Sequence, residues 1–277
     1  MAVDLHTHSR ISDGSDTPSE LVALAAEEGL SAVALTDHDT QEGIAEAREA
    51  AARADIELIP GVEVSCGRGT HLVALFLEPG PGPLQDRLAG IRHGRETRNA
   101  RMVERLVELG IDITIDEVEQ EARVGVVGRP HFAAVLIRKG AVETMNEAFD
   151  RYLGNRGAAY VPRGTFSIEE ALPLARASGA VPVLAHPHTA ELGDEPLFDY
   201  LVRLKDLGLV GMEVLYPGYD GVRRNAYRAL ADGVGLLVSG GSDHHGAYKP
   251  HIRLGRGIDG DVVVPESVLD DLRAHVR

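Results

Sequence analysis

The N-terminal segment of the chain concentrates side chains that can bind metal ions. His6 and His8 lie two residues apart after the short apolar segment 3–5, and Asp13 follows on the next stretch of chain. In a β-strand alternate side chains leave opposite faces, so both imidazoles would leave the same face at the end of the strand. Two imidazoles beside a carboxylate on the adjoining loop predict the beginning of a metal site.

More imidazole and carboxylate groups occur where apolar segments end. In an α/β barrel the carboxyl ends of the strands meet at one face, and catalytic side chains collect there. We therefore expect a single cluster at the mouth of such a barrel. Its candidate members are His6, His8, Asp13, His38, Glu63, His71, His186, Asp243 and His245.

This set contains more ligands than one cation needs. Mixed imidazole and carboxylate ligands suit borderline divalent ions such as Zn, Mn or Fe(II), and the sequence alone does not choose among these metals. A bridging carboxylate would hold two ions close together, where they can polarise a phosphoryl oxygen and lower the pKa of a bound water. Such a site would therefore supply a nucleophile for hydrolysis at neutral pH.

Short apolar segments alternate with longer amphipathic segments over much of the chain. Strands are predicted at residues 3–5, 32–35, 57–64, 71–77, 181–185, 210–215 and 235–239. Helices are predicted at 18–28, 41–53, 168–177, 197–207, 222–231 and 265–275. The alternation favours a parallel sheet covered by helices, as a barrel or as an open doubly wound sheet. The chain has neither a Gly-x-Gly-x-x-Gly after the first strand nor a Walker-type loop, so the common nucleotide-binding folds lack their motif.

A helical segment interrupts this alternation. Residues 80–83 are a Gly-Pro repeat typical of a turn, and the chain from there to about residue 160 is mostly helical. Helices are predicted within it at 84–109, 115–121, 131–139 and 142–152. We therefore predict a barrel made of residues 1–79 and 161–277, with residues 80–160 as a small helical insertion.

The composition excludes several classes of protein. The chain carries 28 Lys and Arg against 43 Asp and Glu, and its net charge of −15 disfavours binding to long nucleic acids. Cys66 is the only cysteine, so neither an intramolecular disulfide nor a cysteine-rich zinc cluster can form. No signal peptide or membrane-spanning run is evident, so we expect a cytoplasmic protein without membrane contact. The sequence indicates no oligomeric state.

Several motifs of the chain resemble those of the PHP family, which is named for polymerase and histidinol phosphatase. In the order of the family they are DLHTHS with SDG, LTDHDT, GVE, AHP and GSDHH, from Asp4 to His245. The resemblance implies a distorted seven-stranded (β/α)7 barrel of the TIM type, in the α/β class. It also implies a site for two or three divalent ions, which are Mn, Fe or Zn.

The resemblance further implies which residues hold each ion. One carboxylate is shared between two of the ions as a bridge. The implied ligand sets are His6, His8, Glu63 and Asp243 for the first ion, Glu63 with His71 and His186 for the second, and Asp13, His38 and His245 for the third.

Two further segments resemble a subgroup of small phosphoesterases within this family. They are GVVGRPH, which ends at His131, and YVPR, which ends at Arg163, and the helical insertion resembles the cap of that subgroup. Arg129 and Arg163 are candidate phosphate ligands, since guanidinium groups match phosphate oxygens bidentately, although surface ion pairs would also account for them. His131 is a candidate donor to the substrate phosphate or to the leaving oxygen. The predicted catalytic set is Asp13, His38, Arg129 and His131.

The favoured hypothesis is a metal-dependent phosphohydrolase that cleaves phosphate monoesters of nucleotides, such as AMP or a 3′,5′-nucleoside bisphosphate, with a metal-activated hydroxide. The alternatives are a 5′–3′ exonuclease on short RNA, a histidinol-phosphate phosphatase and a non-catalytic metal-binding module of the same family. The sequence leaves two side chains without a role. Glu213 could bond a ribose hydroxyl or be structural, and His188 could belong to the metal shell or to the substrate pocket.

Overall fold

The protein is described by a computed structural model that covers residues 1–122, 127–162, 167–192 and 196–276, without the side chains of residues 92, 93, 95 and 96. The described residues form one eight-stranded sheet. Its strands are β1 (Ala2–Asp4), β2 (Leu30–Leu35), β3 (Glu57–Ser65), β4 (His71–Leu75), β5 (Val181–Ala185), β6 (Gly211–Leu215), β7 (Leu237–Gly240) and β8 (Val264–Pro265).

Helices follow most of these strands along the chain. Thr17 starts the first helix with a capping box to Glu20, and Ser167 does the same with Glu170 for a later one. The helices are α1 (Pro18–Glu27), α2 (Ile44–Ala54), α3 (Pro83–Glu108), α4 (Ile115–Ala122), α5 (Arg129–Arg138), α6 (Met145–Ala148), α7 (Ile168–Ala177), α8 (Leu197–Asp206), α9 (Gly221–Val234) and α10 (Glu266–Arg273).

The sheet curls into a nearly closed barrel. Its strand order is β7-β6-β5-β4-β3-β2-β1-β8. At the carboxyl ends of the strands, the segments after β1 and β7 join through backbone hydrogen bonds. The His8 amide donates to the His244 carbonyl (3.0 Å), and the Asp243 amide donates to the His6 carbonyl (2.9 Å). The predicted α/β barrel is therefore confirmed, and its closure lies at the predicted metal ligands.

The sheet is not wholly parallel, which corrects one expectation. Strand β4 runs antiparallel to both β3 and β5, and the two-residue β8 adds an eighth strand antiparallel to β1. The short loop between β3 and β4 can only make a hairpin, because a parallel connection needs a longer crossover. Consequently His71, which begins β4, pairs with Ser65 at the end of β3 and Ala185 at the end of β5. A residue at the start of a strand therefore lies at the same mouth as the strand ends.

The insertion has a hydrophobic core of its own. Helix α3 packs Leu88 and Ile91 against the barrel core, whereas Met102 and Leu106 further along it pack into a second cluster that extends to Val161. The helix predicted at 142–152 begins at Met145 and continues after Ala148 as a π-helix (Phe149–Leu153). Among the helices of the described ranges, none combines the length and apolar character needed to cross a bilayer. The domain boundaries near residues 80 and 160 stay a prediction.

Candidate metal centre

The predicted ligands converge on Glu63, whose carboxylate is buried at the mouth of the barrel. Its Oε2 lies 3.1 Å from His6 Nε2 and 3.0 Å from His8 Nε2. Its Oε1 lies 2.7 Å from His71 Nδ1 and 2.9 Å from His186 Nε2. His38 Nδ1 also lies 3.3 Å from Oε2. The two oxygens therefore face two different sets of imidazoles, as a carboxylate that bridges two cations would.

Two further carboxylates complete the cluster on one side of Glu63. Asp243 Oδ1 lies 3.4 Å from His8 Nε2 and 3.5 Å from His245 Nδ1. Asp13 Oδ1 lies 3.4 Å from His245 Nε2, and Asp13 Oδ2 lies 3.7 Å from His38 Nε2. The nine side chains predicted from the sequence thus lie together, although they come from distant parts of the chain.

The nitrogen and oxygen atoms of these side chains are spaced so that they could bind divalent cations. Three groups have all their ligand atoms within 4.8 Å of one another, which is the spacing of atoms around a shared ion. The groups are His6, His8, Glu63 and Asp243; His8, Asp13, His38 and His245; and His38, Glu63 and His71. The first contains the set implied for one ion, and the second contains the set implied for another together with His8. The third differs from the set implied for the remaining ion, because it holds His38 in place of His186, whose Nε2 lies 2.9 Å from Glu63 Oε1.

The charge states of two carboxylates and of His38 suit cation binding, whereas His6 and His8, whose pKa values are raised by the neighbouring carboxylates, release protons when a cation binds. Burial tends to raise the pKa of the Glu63 carboxyl, but the surrounding imidazoles, with His38 foremost, hold that pKa well below its usual range. Likewise His38 and His245 outweigh burial and keep the pKa of Asp13 low. Burial lowers the pKa of His38 to about 3, so its imidazole is neutral and offers a lone pair. Ionised carboxylates beside a neutral imidazole are the forms that bind metal.

Glu213, which the sequence left without a role, positions two of the candidate ligands. It is buried in the middle of β6, and its Oε1 accepts a hydrogen bond from His6 Nδ1 (2.8 Å). That bond puts the proton of the ring on Nδ1, so the lone pair on Nε2 faces Glu63. Its Oε2 accepts from the His186 amide (2.6 Å), where the backbone has a φ of 24° that few non-glycine residues adopt.

Glu213→Gln is expected to lower metal affinity and activity about 10- to 100-fold, which is the usual effect of losing a partner that orients a ligand. An amide accepts at only one end, so its NH₂ group must face either the His6 Nδ1–H or the His186 amide. Titration of the metal-free variant with Mn²⁺ measures the affinity directly. Glu170→Gln is the control, because Glu170 also accepts from a backbone amide (2.8 Å) but at the start of α7. Equal Mn²⁺ affinity in the two variants would contradict this role.

Asp4 and Asp37 belong to the sequence motifs DLHTHS and LTDHDT, but they fix loops and are not members of the three ligand groups. Asp4 accepts from the Ser242 amide (2.8 Å) and the Ser242 hydroxyl (2.6 Å), which anchors the loop of Asp243. Asp37 accepts from the hydroxyls of Ser9 (2.6 Å) and Ser12 (2.7 Å), which anchors the loop of Asp13. Both carboxylates are buried, so each loop has little freedom to move its ligand.

The loop after β7 also requires a glycine. A Cβ at Gly241 would lie 2.5 Å from both the backbone nitrogen and the Cβ of His6, a distance that real contacts do not reach. Only a residue without a side chain allows the two segments to approach this closely.

A cavity of about 520 Å³ opens beside the cluster. Asp13, His38, His71 and His245 line it on the barrel side. The insertion lines the cavity with the start of α5 and with several apolar side chains. Side chains of the loop after β7 line it as well. Further lining residues are Arg98, Arg129, Phe149, Tyr160, Tyr216, Tyr248 and Lys249.

The three residues predicted to bind substrate differ in where they lie. Arg129 lines the cavity, where its Nη1 donates to the Leu153 carbonyl (3.2 Å). His131 is buried in α5, and its Nδ1 accepts from the Gly128 amide (3.0 Å). Arg163 lies outside the described residues. The roles of all three in substrate binding stay predictions.

Side chains that the sequence analysis did not single out also line the cavity. Lys249 and Tyr216 both contact Asp243, and Arg98 comes from the middle of α3. Tyr216 follows directly on β6, so the rule that active residues follow strand ends could have found it. His188 lies beside this group, where its Nδ1 hydrogen-bonds the Tyr219 hydroxyl (2.7 Å).

Comparison with known proteins agrees with this geometry. The family model described as PHP domain matches residues 4–152. A 3′,5′-nucleoside bisphosphate phosphatase of Chromobacterium violaceum is 36% identical over 247 residues, 88% of this chain and 87% of that protein. A 5′-3′ exoribonuclease of Haemophilus influenzae is 35% identical over 266 residues, 95% of this chain and 96% of that protein.

A solved structure resembles the whole chain. It is that of a candidate metal-dependent phosphoesterase from Bifidobacterium adolescentis, with a TM-score of 0.89 and 31% identity. The match covers 99% of this chain and 96% of the other. Together with the motifs and the cluster around Glu63, these similarities show that the chain belongs to the PHP domain family.

Proposed function

We propose that this chain, a metal-dependent phosphoric ester hydrolase, removes phosphate from nucleotides such as AMP or a 3′,5′-nucleoside bisphosphate. The observation that carries the proposal is the convergence of imidazoles and carboxylates on Glu63 beside a cavity of about 520 Å³. That volume lies in the range of small-molecule sites. The name of the Chromobacterium violaceum relative supports nucleotides as the substrate class.

The cofactors in this proposal are two or three divalent ions, drawn from Mn, Fe and Zn. When bound, such ions would supply an ionised water as the nucleophile and neutralise the oxygens of the phosphate. The chain contributes the ligands, the orientation of their rings and the exclusion of bulk water. The proposed ligands are those predicted from the sequence: His6, His8, Asp13, His38, Glu63, His71, His186, Asp243 and His245.

Residues of the insertion would bind the substrate. We assign the guanidinium of Arg129 to the phosphate or to a second phosphate of the nucleotide, because it lines the cavity at the first turn of α5. Since His131 Nδ1 accepts from the Gly128 amide, its neutral ring carries the proton on Nε2 and can donate from there. In this proposal residues 80–160 act as a cap over the barrel mouth, and Arg163 joins Arg129 as a phosphate ligand.

Release of phosphate by the purified protein loaded with Mn²⁺ tests the proposal. AMP and 3′,5′-nucleoside bisphosphates are expected to be hydrolysed, with p-nitrophenyl phosphate as a generic monoester. His8→Ala is expected to abolish the release, since His8 contacts both Glu63 and Asp243. Absence of phosphate release from all three substrates would contradict the proposal and favour a non-catalytic metal-binding module.

Arg129→Ala is expected to raise KM for the nucleotide about 10-fold or more, the size of a lost charge-assisted hydrogen bond, with a smaller effect on kcat. Arg138→Ala is the matched control. Arg138 ends the same helix and pairs with Glu121 on the surface of the insertion. Steady-state kinetics on AMP measure both parameters. Similar KM values in the two variants would remove Arg129 from the substrate site.

A second candidate is 5′–3′ exonuclease action on short RNA. The Haemophilus influenzae relative, which aligns with 95% of this chain, favours it. The net charge of −15 disfavours a grip on long RNA but not on a short end near cations. Short 5′-phosphorylated oligoribonucleotides in the same assay distinguish the two functions, and histidinol phosphate tests the remaining alternative. We expect mononucleotides to be the better substrates.

A further inference from the structure

Lys249 places a cation in the cavity at the edge of the candidate metal centre. Its Nζ lies 2.8 Å from Asp243 Oδ2. The side chain is 36% exposed and lines the same cavity as Asp13 and Arg129. An ammonium group has three N–H donors, so the hydrogen bond to Asp243 leaves further N–H groups that can donate to a ligand in the cavity.

The two oxygens of Asp243 have separate environments. Oδ1 faces the cluster, 3.4 Å from His8 Nε2 and 3.6 Å from His6 Nε2. Oδ2 faces outward, where it accepts from the Tyr216 hydroxyl (2.7 Å) as well as from Lys249. The tyrosine is a neutral donor that can hold the carboxylate in place. The lysine adds a full positive charge at the boundary between cluster and cavity, where an anionic substrate group would arrive.

The backbone holds Lys249 at this position. The Lys249 amide donates to the Gly246 carbonyl (3.1 Å), and its carbonyl accepts from the Ile252 amide (2.9 Å). The Ala247 amide donates to the Ser15 hydroxyl (2.8 Å), which joins this loop to the loop of Asp13. The ammonium group is therefore organised before a ligand arrives, which lowers the entropic cost of binding.

We propose that Lys249 binds a non-bridging oxygen of the phosphate group that reacts at the metal centre. This inference rests on the proposed function and deepens it. It names a residue that binds the reacting phosphate group of the substrate, and it makes no statement about the nucleoside. A lysine is suited to this role as a point charge with several donors. The phosphate would then be held by Lys249 from the loop after β7 and by Arg129 from the insertion.

Calorimetric titration of the Mn²⁺-loaded protein with inorganic phosphate tests Lys249 without relying on turnover. Lys249→Met and Lys249→Gln are expected to raise the phosphate Kd about 10- to 100-fold, the size of a lost hydrogen bond to a charged group. Lys249→Arg, which keeps the charge, is expected to recover most of the affinity. In the hydrolysis assay the Met and Gln variants are expected to lose kcat/KM by at least the same factor.

Two control variants separate phosphate binding from the positioning of Asp243. Tyr216→Phe removes the other donor to Oδ2 and is expected to raise the phosphate Kd much less than Lys249→Met does, because the ammonium group stays in place. Lys205→Met removes a lysine far from the cavity lining, whose Nζ donates to the Gly235 carbonyl (3.0 Å), and is expected to leave the phosphate Kd close to that of the wild type. Metal content, measured on the same samples by mass spectrometry, is expected to match the wild type throughout.

A wild-type phosphate Kd in both Lys249→Met and Lys249→Gln would overturn the proposal. An equal loss of phosphate affinity in Tyr216→Phe would also overturn it, because the lysine would then act only by holding Asp243. Loss of metal from the Lys249 variants would lead to the same conclusion. If the wild type binds phosphate through Lys249 but hydrolyses no ester, the proposed function fails and the assignment of Lys249 stands.

Discussion

Glu63→Gln is expected to remove at least one metal ion per chain and to lower kcat/KM about 10²- to 10³-fold, the loss seen when a single charge-stabilising group is removed. Glu63 is the residue on which five imidazoles converge, at distances of 2.7 to 3.3 Å. Glutamine keeps the shape of the side chain but carries no charge, and only one of its two terminal atoms can accept or ligate. A bridge between two cations cannot form with such a group.

The control for this variant lies on the same strand. Glu57 begins β3, is exposed and pairs with Arg273 (2.8 Å), so Glu57→Gln changes the same chemical group at the far end of the strand. Metal content by mass spectrometry and phosphate release from AMP are expected to be normal in Glu57→Gln. Full metal content and wild-type kcat/KM in Glu63→Gln would refute the bridging role and with it the proposed arrangement of ions.

Removal of the metal ions is expected to lower the Tm by about 5–10 °C. Ligands that bind only the folded state stabilise it by about 2.7 kcal/mol at 100 times their Kd. For a chain of this size each kcal/mol corresponds to about 2–4 °C. Without cations, Asp13, Glu63 and Asp243 are buried carboxylates that only neighbouring side chains compensate. Calorimetric melting before and after treatment with EDTA measures the difference, and readdition of Mn²⁺ is expected to restore the original Tm.

The metal-free protein is also expected to lose stability as the pH rises. Burial tends to lower the pKa of His8, but the carboxylates of Asp243 and Glu63 outweigh it and raise this pKa from 6.5 to about 9. A group with a raised pKa in the folded state contributes stability below its unfolded pKa and loses it as the pH rises through the folded value. The Tm of the metal-free form should therefore fall between pH 6.5 and pH 9. A Tm that rises over this interval would contradict the assignment.

Several of the candidate ligands could be predicted from the sequence because their signals are local. His6 and His8 share a face through the two-residue period of an extended chain, and their rings lie 5.1 Å apart. Asp243 and His245 likewise follow a predicted strand at a spacing of two. The alternation of apolar strands and amphipathic helices predicted a sheet covered by helices, as a barrel or an open sheet, and the resemblance to the PHP family selected the barrel, whose strand ends meet at one mouth. The chemistry of a metal-dependent hydrolase followed from those residue types.

The sequence analysis did not predict the direction of β4, although the short segment between β3 and β4 has room only for a hairpin. The pairing of β4 with β5 could not be predicted from local patterns, because the whole insertion separates these strands in the chain. For the same reason Glu213 had no role until the fold placed its two oxygens against His6 and the His186 amide.

The amino-acid sequence by itself predicted the α/β class of fold and the kinds of side chain that could bind metal, because both depend on residue type and short-range spacing. The tertiary structure alone decided that Glu213 orients His6 and that Lys249 reaches the outer oxygen of Asp243. Those relationships join residues far apart in the chain. Only closure of the barrel brings such residues within hydrogen-bond distance, so no local pattern could encode them.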